Sequence, residues 1–432
     1  MDSPFAEPSE LPARFDLREI PFSATLACAE RCDKLRCAGR EVHRMCFGES
    51  PFPVPDSVVE ALRNAATQNR YLSVAGLKEL RQAVGVKLGR SHEDVLIGPG
   101  SKELMFVLQL VYPGDVIIPR PCWLTFALQS KLVGRRVMWV ETKATEGWKL
   151  STDALEQALA ACQRGASAKK GHPPLVYLNT PNNPTGVAYT DAELKALATV
   201  ARKYGVLVLS DEIYSGFHHA NEHRSIVTHY PEGTIVSDGL SKWCGAGGWR
   251  LGVFSLPPGF DWLRDGMLRV GSDTYSSAST PVQYAAVEAY RGGVAIGQYL
   301  DRARGILGAL LDRLWVELEG LNAHVVKPEG AYYLFPDFEP MRQGLASRGI
   351  ETGAQLTEQI HQELGIAVLP GSDYGMDASS LTFRIAYVNF DGARMLGELS
   401  TNRSQKVDRA FIENHCAPVI QATQKLVGWL SI

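Results

Sequence analysis

Residues 237–252, SDGLSKWCGAGGWRLG, hold the side chains best suited to covalent chemistry. Lys242 sits there among small residues and a glycine-rich turn, so its amine has room to meet a carbonyl carbon and form a Schiff base. Arg250, eight residues on, presents a planar fork that fits a phosphate. A surface lysine beside a structural arginine would read the same way, so this stretch needs company, and three others supply it. Residues 177–186, YLNTPNNPTG, put Asn183 in a turn directly after an apolar run, although Asn, Pro and Gly would build such a turn unaided. Residues 209–214, LSDEIY, end an apolar run on Asp211 and Tyr214. In an open α/β sheet, ligands bind in the crevice beyond the carboxyl ends of the strands, where one carboxylate could hold a proton on a ring nitrogen. Residues 98–103, GPGSKE, feed a helix-period run, and the free N–H groups and positive dipole at a helix start suit a phosphate. The same letters half-match a dinucleotide fingerprint, but Glu103 stands where the third glycine belongs, so a phosphate monoester suits the turn better.

Positioning these groups requires a regular scaffold, and the sequence carries one. Apolar runs at residues 95–97, 116–118, 137–140, 175–178, 206–209, 234–236 and 251–254 alternate with helix-period segments. That alternation predicts an α/β fold with a mostly parallel seven-stranded sheet flanked by helices. Thr190 and Glu193 form a capping box before an apolar stripe, and Gly205 lies where that helix should stop. After Gly292 come a long helical stretch to Leu321 and strand-like runs at 323–326, 332–335, 366–369 and 381–388. A last helical run over 407–430 follows, which together predicts a smaller α+β domain. The expected division is an N-terminal tail (1–15), a segment packing with the small domain (16–49), a large domain (50–305) and a small C-terminal domain (306–432).

Composition sets bounds on the chemistry. With a formal charge of -3 and 21% charged residues, no field favours nucleic acid or an anionic membrane surface. No apolar run approaches the ~20 residues of a membrane span, and the acidic, Pro-rich opening lacks the marks of a secretory or transit segment, so the expected location is the cytoplasm. The eight cysteines are irregularly spaced and form no CxxC pair, which predicts reduced thiols and no metal. Cys28 and Cys32, four apart, share a helix face and read as ordinary packing. His218, His219 and His223 read as a solvated loop, and Tyr332 as a core strand residue.

Taken together and in this order, the four stretches resemble the fold-type I pyridoxal-phosphate enzymes, specifically the class I/II aminotransferases. The resemblance runs from Gly48 to Arg384, most of the chain. It implies pyridoxal 5'-phosphate as cofactor, with Lys242 as the Schiff-base lysine, Asp211 paired with the pyridine nitrogen, and Asn183 and Tyr214 on the phenolic oxygen. Arg250 would fork the phosphate within a cradle of Gly100, Ser101 and Lys102, and Trp123 would stack on the ring. Arg384 resembles the arginine that grips the substrate α-carboxylate, and Gly48 the backbone that meets it. Tyr71 resembles a tyrosine that reaches the cofactor of the neighbouring subunit, which implies a homodimer with shared sites.

The implied activity is exchange of an amino group between an L-amino acid and a 2-oxo acid by a ping-pong route. Elimination, decarboxylation or cyclisation on the same scaffold is the alternative. A non-catalytic binding protein would typically have lost the lysine or gained a DNA-binding module, and Lys242, Asp211, Tyr214, Asn183 and Arg250 are all present. Two departures stand out. Gly239 occupies the place of a phosphate-binding serine, a role left to Ser241, Ser101 or Lys102. The arginine that dicarboxylate-specific members place before their Tyr-Ser segment has no counterpart within residues 271–276, so aspartate specificity does not carry over from the resemblance.

Overall fold

The structure, a computed structural model, describes residues 24–37, 39–164, 172–402 and 406–431; the expected tail at 1–15 and the following residues 16–23 lie outside them. Helix α1 (Ala24–Cys37), a short strand β1 (His43–Arg44), α2 (Asp56–Ala65) and α3 (Lys78–Leu88) precede a large sheet. Its strands are β2 (Val95–Gly98), β3 (Val116–Arg120), β4 (Val137–Glu141), β5 (Leu175–Asn179), β6 (Leu207–Asp211), β7 (Thr234–Gly239) and β8 (Gly252–Ser255). They lie in the order β2-β8-β7-β6-β5-β3-β4, and β8 alone runs against its neighbours. All seven expected strands are present. The central ones are buried along their whole length, which is why they read as unbroken apolar runs rather than alternating ones.

Helices α4 (Ser101–Val111), α5 (Thr125–Leu132), α6 (Thr152–Arg164) and α7 (Asp191–Tyr204) cross over between parallel strands, and α8 (Asp261–Thr274) and α9 (Thr280–Arg291) follow β8. The capping box at the start of α7 forms as expected: Thr190 accepts from the Glu193 N–H, the Glu193 carboxylate accepts from the Thr190 N–H, and Gly205 closes the helix at φ 62°. Register then does the work that matters for function. Asn179 pairs with Asp211, and Asp211 with Ser237, so three polar side chains form one row across the carboxyl ends of β5, β6 and β7.

A long helix α10 (Val294–Leu318) leads to the remaining elements. These are β9 (Tyr333–Leu334), α11 (Arg342–Ser347), α12 (Gly353–Leu364), β10 (Ile366–Ala367), β11 (Leu369–Pro370), β12 (Phe383–Ala386), α13 (Gly392–Thr401), α14 (Arg409–His415) and α15 (Ala417–Leu430). Strand β12 pairs antiparallel with β11 and β9, and β1 pairs with β10. Two expectations need correction. Residues 323–326 form no strand; His324 and Asp337 make one isolated bridge, and Pro328, which lacks an N–H, follows closely. The last helical run is broken at Cys416, because Pro418 fits only the first turn of a new helix. Among the described residues no helix is long and apolar enough to cross a membrane.

Candidate active site

Strand β2 ends in a turn that feeds α4 with Gly100 at φ 94°, a left-handed conformation that glycine adopts freely. The turn also lies against Arg250: a Cβ at Gly100 would be 2.3 Å from Arg250 Nη2 and would push the guanidinium aside. Arg250 is exposed to the cleft, and its guanidinium hydrogen-bonds only to carbonyls, of Gly247 at 2.9 Å and Pro99 at 3.5 Å, among the described residues. Lys102, one residue into α4, holds its amine 5.0 Å from the Trp123 ring centre, and burial and then Arg250 push its pKa down. Ser101 opens the helix. Two cations and a helix N-terminus without a carboxylate partner make an anion cradle.

Across the row of strand ends lies Asp211, 3% exposed. Burial pushes its carboxyl up to about 7, against hydrogen bonds from the Ile213 N–H and Ser237; Asp238 and Glu212 push it further up. A buried carboxylate with no cation bonded to it is a ready partner for a protonated ring nitrogen. Lys242 follows β7 by three residues and is half-buried beside Ser241. Its amine donates to the Gly48 carbonyl at 2.5 Å and lies 5.7 Å from the Tyr214 ring. Burial, then the Arg384 charge, lower its pKa to about 8, while Glu49 and Asp211 oppose the shift. Tyr214 is held neutral, its pKa raised well above the usual value by burial, and its hydroxyl meets that of Tyr333 at 2.7 Å.

Arg384 on β12 completes the cluster. Its Nη1 donates to Asn183 Oδ1 at 2.9 Å and its Nη2 to the Cys46 carbonyl at 2.6 Å, while its Nε is buried with no partner. Tyr333 and Tyr374 flank the guanidinium, 4.5 and 5.0 Å from ring centre to Cζ. Asn183 is fixed in turn by its own N–H on Asn179 Oδ1 at 2.7 Å, and Asn179 reaches the Asp211 carbonyl at 2.8 Å. Gly48 has no room for a side chain, because a Cβ there would lie 2.3 Å from the Tyr333 hydroxyl. A buried guanidinium with one N–H unpartnered has the chemistry to meet a carboxylate.

Contacts thus link Lys242, Gly48, Tyr214, Arg384, Asn183 and Asp211 into one group, and the turn of Gly100, Ser101 and Lys102 with Trp123 and Arg250 into another; Lys102 acts electrostatically on Lys242, and Ser241 precedes it in the chain. Tyr71 does not join them: it is 88% exposed on the loop before Gly76. Sequence reasoning missed Tyr333, and it read Tyr332 as core only. Tyr332 is indeed fully buried, yet its hydroxyl donates to the same Gly48 carbonyl that Lys242 meets, at 3.0 Å. The histidine trio is packed rather than solvated. His218 is 9% exposed, His219 Nε2 lies 3.0 Å from the Ala331 carbonyl, and His223 Nε2 lies 2.9 Å from Glu212 Oε2, because buried acceptors there need partners.

A lysine amine, a buried carboxylate and an anion cradle at strand ends define a class of enzyme, one that works through a phosphorylated pyridine aldehyde held on lysine. The comparisons agree. The model of the family "Aminotransferase class I and II" matches residues 40–395. Aspartate aminotransferase of Geobacillus stearothermophilus is 32% identical over 369 residues, 82% of this chain and 89% of that one. Aspartate/prephenate aminotransferase of Thermus thermophilus is 30% identical, again over 82% and 89%. The solved structure of Thermus thermophilus aspartate aminotransferase with maleate matches at a TM-score of 0.80 and 26% identity, over 96% of this chain and 99% of that one. The chain belongs to the class I and II aminotransferase family. It is a pyridoxal-phosphate-dependent enzyme that moves an amino group between an amino acid and a 2-oxo acid.

Proposed function

We propose that Lys242 carries the cofactor and that an L-amino acid is the donor; L-aspartate, named for the relatives above, is the first of a panel to test, since the arginine of dicarboxylate-specific members has no counterpart at 271–276. The observation that carries the reading is the convergence of Lys242 Nζ on Gly48 O, 2.5 Å apart, beside the Arg384 guanidinium. An amine that can hold an aldehyde and a receptor for an α-carboxylate then share one cleft. When bound, pyridoxal phosphate supplies an electron sink for the bonds at the substrate Cα. Asp211 keeps a proton on the ring nitrogen, and Asn183 and Tyr214 donate to the phenolic oxygen. Gly100, Ser101, Lys102, Ser241 and Arg250 would hold the phosphate, and Trp123 would stack on the ring. Arg384 clamps the α-carboxylate together with Gly48 and so fixes which Cα bond is aligned for cleavage. Lys242, neutral above about pH 8, takes the Cα proton and returns it.

The assembly follows from the same reading: a cytoplasmic homodimer in which Tyr71 reaches the partner's cofactor. Of the described residues, those within 50–305 would form the large domain, and those within 306–432 and 16–49 the small one. The test is spectroscopic. Adding L-aspartate to the cofactor-loaded protein, with no oxo acid, should move the visible cofactor band to the near-ultraviolet. Lys242→Ala should abolish the change, and Arg384→Gln should lower kcat/KM by about a hundredfold or more, ~2.7 kcal/mol. A band unmoved by any of a panel of L-amino acids, or release of ammonia or carbon dioxide instead, refutes the assignment.

A further inference from the structure

Next to Arg384, whose Nη2 donates to the Cys46 carbonyl, three sulfur atoms converge. Cys28 and Cys32 lie one turn apart on α1, Cys46 follows β1, and their Sγ atoms all lie within 4.8 Å of one another. Cys32 and Cys46 are fully buried and Cys28 is 8% exposed, under a roof of Trp148, Phe335 and Tyr374. Free cysteine does pack as a small apolar residue, but apolar packing gives no reason for sulfurs from two separate segments to share one point. Metal geometry gives one. Four thiolates at ~2.3 Å around zinc sit ~3.8 Å apart, within the spacing seen here.

A second observation points the same way. His361 on α12 is 5% exposed, and both its ring nitrogens are buried without a partner. It interacts electrostatically with Cys32, and α12 is docked to α1 by Arg31 and Glu358 at 2.7 Å, Glu358 lying one turn before His361. His361 lies outside the 4.8 Å trio but is a neighbouring, unpartnered imidazole that a bound ion would draw in.

We propose that Cys28, Cys32 and Cys46 bind a structural zinc ion, whose fourth ligand is His361 after a side-chain shift toward the trio. Three S–H protons leave to solvent as three Zn–S bonds form, with no change in oxidation state. The ion ties α1 to the segment that serves the active site, since the Cys46 carbonyl accepts from Arg384 Nη2 and Gly48 lies two residues on. Apart from this cluster, exposed ion pairs such as Arg31–Glu358 help to hold α1, and such pairs contribute little.

The test uses the cofactor-loaded full chain, reduced with a phosphine, freed of metal on a chelating resin and titrated with zinc against a chromogenic chelator. Roughly one zinc per chain is expected, and cobalt in its place should give intense near-ultraviolet thiolate bands with tetrahedral visible bands. Cys32→Ser should lose the ion, while Cys162→Ser, in a different buried cluster, should keep it. The cobalt spectrum of the unaltered chain needs no variant to fold. A reduced chain that takes up neither ion, or one whose zinc survives Cys28→Ser with Cys32→Ser, would overturn the proposal. So would a native disulfide within the trio whose reduction yields no metal binding.

Discussion

Burial tunes Lys242 and Asp211 in opposite directions. The same loss of water lowers the lysine to about 8 and raises the carboxyl to about 7, because each environment disfavours whichever form is charged. For the lysine the sign is direct: below about 8 it is a cation and cannot accept the Cα proton, above it the neutral form grows. The rate of the amino-acid half-reaction at saturating substrate should therefore rise with pH through about 8 and level off. In Arg384→Gln the inflection should move upward, since the guanidinium is a cation that favours the neutral amine. Stopped-flow profiles over roughly pH 6.5 to 9 would decide it, and a flat profile removes Lys242 as the proton carrier. At this scale the sequence revealed the groups that follow a strand end or a glycine turn, namely Lys242, Asp211, Asn183 and Arg250. It could not reveal Tyr333 or Cys46. Their partners Tyr214 and Arg384 lie 119 and 338 residues away, and no local spacing signals a contact made only by folding.

Backbones approach closely where β7, β8 and the start of α4 meet. Gly239 pairs with Gly252, a Cβ at Gly252 would lie 2.0 Å from the Ser101 nitrogen, and one at Gly239 would lie 2.8 Å from the Leu251 carbonyl. Two facing glycines let the strand carry the helix N-terminus inward, toward Arg250 and the phosphate cradle. This explains why the serine expected at position 239 by resemblance is missing: backbone atoms that cannot rotate aside fill its place. Gly239→Ser should therefore destabilise the protein by about 1–3 kcal/mol, seen as a fall in Tm, and should not tighten cofactor binding. Tighter binding with an unchanged Tm would contradict this packing argument. Elements were legible in proportion to their length and burial. The seven strands of the large sheet, four to six residues long, left three- to four-residue apolar runs, whereas the expected runs 332–335 and 366–369 shrank to two-residue strands, too short to impose a period or to show where they end.

For the whole molecule, the informative residue is the one left outside the cleft. Tyr71 is 88% exposed, yet the loop that carries it is tied on both sides, by Thr280 Oγ1 to the Arg70 carbonyl at 2.8 Å and by the Ile97 N–H to the Ala75 carbonyl at 3.0 Å. An aromatic held out from a fixed loop is suited to entering a second copy of the same chain, and closed two-fold pairing would let each copy serve the other. Mixing two inactive variants tests this directly. Tyr71→Glu should place a carboxylate against the partner's phosphate and block its cofactor, and Lys242→Ala removes the amine from its own site. In a hybrid dimer, one site takes Lys242 from the Tyr71→Glu chain and Tyr71 from the Lys242→Ala chain, and so is intact. Random equal mixing makes half the dimers hybrids with one intact site of two, so about a quarter of full activity should return after co-refolding. Activity that stays near the sum of the two variants alone would mean that each chain completes its own site, and the shared-site dimer would have to be abandoned.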